Sequence, residues 1–95
     1  MYFMVFEKIV TVLVQKGAKI VEIYESTVKL QWNGCDILVV KEPNTTEVQF
    51  NSVLRCGSNQ SYDLSIKADI PSDSSFKEFL NDLPRILSVA KMFEQ

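Results

Sequence analysis

The pair Asn33-Gly34, set between two segments whose apolar residues recur at every second position, constrains this chain more than any other feature. Asn-Gly supplies the two positive-φ residues of a type I′ turn, so residues 27–32 and 35–40 are expected to pair as a hairpin of fixed register. In that register Trp32 faces Cys35, Leu30 faces Ile37 and Val28 faces Val39. A second tight turn at Glu25-Ser26 joins residues 19–24 to 27–32, placing Val28 opposite Ile23 and Leu30 opposite Val21. Both turns collect apolar side chains on one face. On the other face they set Glu22 beside Lys29 and Gln31 beside Asp36, which are favourable cross-strand partners. A slip of one residue at either turn would invert a strand, so the agreement of two separately assigned turns specifies an amphipathic antiparallel sheet.

The sheet is expected to continue past the break at Glu42-Pro43-Asn44. Residues 46–55 alternate, with Val48, Phe50 and Leu54 inward and Glu47, Gln49 and Asn51 outward. After a loop over 56–60, residues 62–70 place Tyr62, Leu64, Ile66 and Ala68 inward against Asp63, Ser65 and Lys67. Five strands result. With Val39 opposite Val48, Cys35 faces Ser52 and Cys56 falls about 13 Å further along at ~3.3 Å per residue. That separation is beyond a disulfide's reach, so Cys35 reads as a small buried hydrophobe beside Trp32.

The two ends of the chain carry a helical period instead. In residues 2–16 the polar side chains Glu7, Lys8, Thr11 and Gln15 recur at three- and four-residue steps, and Gly17 stands where a helix terminates. The β-branched residues Val5, Ile9, Val10, Val12 and Val14 pull the other way. Near the C-terminus, Pro71-Ser72-Asp73-Ser74 ends the sheet, and Ser75 with Glu78 has capping-box spacing, predicting a helix from Phe76. Phe76, Leu80, Leu83, Leu87 and Ala90 share one face. Pro84 removes a donor from this run and crowds the Leu80 carbonyl, giving a kinked helix or two short helices meeting near Leu83. The fold expected is α+β, a single domain over 1–95: an antiparallel five-stranded meander sheet flanked by an N-terminal helix and a Pro-kinked C-terminal helix, both packed on one face.

Composition removes whole classes of chemistry. The 95 residues contain no histidine, which excludes Ser-His and Cys-His nucleophilic pairs, imidazole general bases and the commonest zinc ligand. A net charge of −2 with scattered lysines argues against nucleic acid, whose affinity comes from neutralised phosphates. The apolar N-terminal stretch is interrupted at Glu7 and Lys8, short of the ~20 residues that span a bilayer. No secretory signal is read, and two cysteines without one point to a reducing cytoplasmic setting. No cofactor and no small-molecule substrate is expected. Asp69 and Asp73, in the loop ending at Ser75, offer carboxylates to a hard cation, but the loop lacks any ligand-spacing motif and reads as a turn with a helix cap. Trp32, Tyr62, Phe50, Phe76, Phe79 and Phe93 fit core positions rather than a base-stacking platform.

What the chemistry leaves is surface. The N-terminal helix has only a narrow polar stripe, and Tyr2, Phe3, Val5, Phe6, Ile9, Val10, Val12, Leu13 and Val14 form more apolar surface than one sheet face covers. Ile20, Tyr24, Leu38 and Val40 are placed on the outer sheet face. The expected function is therefore a non-catalytic protein-interaction module, a small accessory protein of chaperone or inhibitor type, binding a protein partner or itself as a homodimer. Its contact residues are Phe3, Phe6, Val10, Leu13, Val14, Leu38 and Val40. The alternatives are a small carboxylate- or metal-dependent enzyme at the 69–75 loop, or a nucleic-acid-associated accessory protein.

Overall fold

The computed structural model describes residues 2–56 and 59–92. Helix α1 (Tyr2–Gln15) leads into strands β1 (Lys19–Ile23), β2 (Thr27–Trp32), β3 (Cys35–Lys41), β4 (Thr46–Cys56) and β5 (Gln60–Ile70), and helix α2 (Asp73–Met92) follows. The strands form one antiparallel meander in the order β1-β2-β3-β4-β5. The fold is the α+β arrangement expected, with both helices on one face of the sheet.

Local chemistry explains the boundaries. At the end of α1 the Gly17 N–H donates to the Val14 carbonyl and the Ala18 N–H to the Leu13 carbonyl, each at 3.0 Å. That bonding is a Schellman motif, and Gly17 adopts the positive φ (106°) it requires. Ala18, buried, seals the turn. The Trp32 indole N–H donates to the Lys16 carbonyl at 3.2 Å, tying the end of β2 to the helix terminus. Asn33 (φ 46°) and Gly34 (φ 82°) make the type I′ turn, and Trp32, Leu30 and Val28 face Cys35, Ile37 and Val39 as the turn dictates. Val39 faces Val48.

The core is one cluster. Val5, Ile9 and Leu13 of α1 meet Leu30, Ile37, Val39, Val48 and Phe50 of the sheet and Phe79, Leu83 and Leu87 of α2. Phe50 and Phe79 stack with ring centroids 6.5 Å apart, anchoring α2 over β4. At about 25 cal/mol per Å² of apolar surface removed from water, this cluster supplies most of the driving force for folding.

Three sequence expectations need correction. First, β1 is irregular: Ile20, not Val21, faces Leu30, and a bulge between Ile20 and Glu22 restores Glu22 opposite Lys29 and Ile23 opposite Val28. Ile20 therefore belongs to the helix side of the sheet, not the outer face. Second, α2 begins at Asp73. Ser72, not Ser75, is the cap, its hydroxyl accepting from the Ser75 N–H at 3.3 Å, while the Phe76 N–H bonds the Ser72 carbonyl. Third, α2 runs unbroken through Pro84, so two separate helices are excluded. Tyr62 lies on the inner face as expected, yet it is exposed. The β4–β5 hairpin continues beyond Asn51, the last β4 residue paired with β3, and outruns the helix layer.

Candidate protein-interaction surface

Two helices about 10 Å wide cover roughly four strands spaced ~4.8 Å apart, which leaves one strand of five uncovered. Here α1 lies over β3 and reaches β4, and α2 lies over β5 and β4. The strand left over is β1, all five of whose residues are exposed. On it, Ile20 is 46%, Val21 46% and Ile23 71% exposed, although Ile20 and Ile23 point to the same side as the buried Leu30 and Val28.

The helical period assigns each side of α1. Val5, Ile9 and Leu13, four residues apart, form its buried line. Lys8 faces α2: its Nζ lies 3.5 Å from Asp73 Oδ1 and 5.8 Å from the Phe76 ring centre. The flank turned from α2 carries Phe6, Val10 and Val14, again four apart. Phe6 and Val10 are half-buried against the core, and Val14 is 43% exposed. This flank and the uncovered side of β1 make an apolar surface at one edge of the molecule.

The expected contact residues divide accordingly. Phe6, Val10 and Val14 lie on this flank. The side chain of Phe3 lies outside the described residues. Leu13 is removed from the set, because at 1% exposure it is part of the core. Leu38 and Val40 are half-buried on the outer face, side by side along β3. Their cross-strand neighbours are Lys29 and Gln49 for Leu38, and Thr27 and Glu47 for Val40. Around them Gln31 donates to Asp36 at 3.3 Å, and Gln49 to Asn51 and Ser65 at 3.1 Å. On that face Leu38 and Val40 sit within a polar network, with Val53 exposed further along β4, and do not form a second apolar patch. Ile20, Val21 and Ile23 were absent from the expected set; their signal is a strand count that two helices cannot cover.

Elsewhere the surface carries grooves. The helices run side by side in the same direction. Between them, a cleft of about 370 Å³ is lined by Glu7, Lys8, Thr11, Val12, Phe76 and Leu80. Another of about 290 Å³ is lined by Lys16, Trp32, Pro84, Leu87 and Ser88. Of the two carboxylates expected as cation ligands in the 69–75 loop, Asp73 is engaged by Lys8, and Asp69 stands across from Glu47 on the sheet and lines a cavity of about 180 Å³ with Glu78 and Asp82. Among the described residues no group of three or more Cys, Asp or Glu side chains is placed to hold a metal ion. Cys35 is a free, buried thiol, pushed up from its ordinary pKa by burial, with a hydrogen bond from Ser52 partly opposing the shift. Among the described residues no helix is long and apolar enough to cross a membrane. No family model matches the sequence, and no curated protein or solved structure matches it either.

Proposed function

We propose that the chain is a non-catalytic protein-interaction module that self-associates through the apolar flank of α1 and the uncovered side of β1. The observation that carries this reading is the exposure of Ile20 and Ile23 on the very side of the sheet that elsewhere forms the core, with Val21 exposed between them. Contiguous apolar surface at the edge of a small domain marks contact with another macromolecule. Composition adds support: without histidine the chain has no imidazole base, and the Cys35 thiol is buried with a raised pKa. The free thiol suits a reducing cytoplasmic setting.

Sedimentation of the wild type and of Ile23→Asp across micromolar concentrations tests the reading. The wild type is expected to sediment as a dimer and the variant as a monomer with an unchanged far-UV spectrum. A wild type that stays monomeric at every concentration refutes self-association.

A further inference from the structure

We infer that two copies of this chain pair antiparallel through β1 about a two-fold axis between Ile20 and Val21, joining two five-stranded sheets into one of ten strands. This inference rests on the reading of the β1 edge as a self-association surface, and it names the geometry of that contact.

Three observations lead to it. β1 is an edge strand, so one row of its backbone N–H and C=O groups has no strand beside it. The other edge, β5, lies beneath α2, and its inward Ile66, Ala68 and Ile70 already pack against the core. On β5 the exposed apolar side chain among the described residues is Tyr62, alone at the far end of the hairpin, whereas β1 carries Ile20, Val21 and Ile23 together along a free edge.

The second observation is the bulge. In a regular strand residues three apart point to opposite faces. The shift between Ile20 and Glu22 instead places Lys19, opposite Gln31, and Glu22, opposite Lys29, on the same outer face, and Ile20 and Ile23 together on the inner face. The bulge thus creates a segment Lys19-Ile20-Val21-Glu22 that is complementary to itself in charge.

The third is what two-fold symmetry does with that segment. Turned antiparallel about its midpoint, Lys19 of each copy lies opposite Glu22 of the other, so every contact occurs twice. The outer face then carries a continuous row: Asp36, Gln31 and Lys19 of one copy, followed by Glu22 and Lys29 of the second. Opposite charges directly across an antiparallel pair are favourable and like charges unfavourable. Tyr24 donates its hydroxyl to the Glu22 carboxylate and holds it on this face. At the axis Ile20 of each copy lies opposite Val21 of the other, and the Val10 and Val14 flanks of the two α1 helices face each other across the paired strands.

Charge reversal tests the register. Lys19→Glu sets two like-charge contacts about the axis, and the dimer dissociation constant should rise on the order of 10- to 100-fold in sedimentation equilibrium. The double variant Lys19→Glu with Glu22→Lys restores both pairs, and its dimer should recover to within about threefold of wild type, a residual of less than one such pair. Lys67→Glu, on the far edge strand, should leave the dimer unchanged. Far-UV spectra confirm that each variant is folded. A wild-type dimer that dissociates with Ile23→Asp but is indifferent to Lys19→Glu overturns the β1 register while leaving the interaction surface standing. One that dissociates with Lys67→Glu instead moves the axis to β5 and overturns the inference. A monomeric wild type removes the reading beneath it.

Discussion

Thr46 provides a quantitative test of how the inner face of the sheet is built. It sits on the helix side of β4 opposite Ile70, is 1% exposed, and its hydroxyl has no hydrogen-bond partner among the described residues. A buried hydroxyl left unpaired costs about 1–3 kcal/mol relative to its hydrated state in mutational data. Thr46→Val keeps the β-branch that suits a strand and exchanges the oxygen for a methyl group of similar size. The desolvation cost disappears, and some of the gain is lost where the methyl must be fitted among tightly packed neighbours. A net stabilisation of about 1 kcal/mol follows. For a domain of this length that raises the Tm by roughly 4–8 °C. Urea denaturation should show a higher midpoint at constant slope, which separates a change in stability from one in compactness. Thr46→Ser keeps the hydroxyl and deletes the methyl, and should lose about 1 kcal/mol. A Thr46→Val variant less stable than wild type would show that the hydroxyl makes a hydrogen bond worth more than its burial costs, refuting the reasoning.

Three further outcomes follow from local geometry. Gly17→Ala should cost about 1–2 kcal/mol in urea melts, because φ at this position is 106°. The added methyl itself would meet only the Trp32 ring at an ordinary 3.7 Å, so a neutral result would mean the backbone relaxes without penalty. Ser72→Ala should lose about 1 kcal/mol by uncapping α2, and Ser75→Ala clearly less; the reverse order would return the cap to Ser75. The raised pKa of Cys35 predicts slow reaction with a thiol reagent in the folded protein and fast reaction in urea, measured in a Cys56→Ser background. Its folded form holds the proton to higher pH than its unfolded form. Its contribution to stability is therefore complete below the ordinary thiol range and is lost as pH rises through the folded value. A urea midpoint that does not fall across that alkaline range, relative to a Cys35→Ala control, would contradict it.

What the sequence reveals and what it conceals divide along a physical line. The register from β2 to β4 is legible because Asn33-Gly34 forces a turn type and alternation then leaves one choice of face. The start of α2 is not, because Ser72, Ser74 and Ser75 are chemically equivalent caps. The choice among them depends on tertiary contacts, with Asp73 meeting Lys8 and Phe76 meeting the same lysine. Which strand the helices leave bare is likewise a matter of layer widths, not of any residue in that strand.

The bulge in β1 lies between these cases, since its signal is present in the composition of the strand. Regular alternation would leave Ile20 on the outer face among Lys19's polar neighbours. The bulged register instead puts Lys19, Glu22 and Tyr24 outward and Ile20 and Ile23 inward, with Val21 as the bulged residue between them. Inside a lone chain that arrangement stabilises little, because Ile23 remains 71% exposed with no helix above it. Its value appears only when a second surface excludes water from the same face. A strand distorted at some cost in ladder hydrogen bonds, to sort side chains for a face its own helices do not cover, is better matched to the needs of an assembly than to those of a monomer.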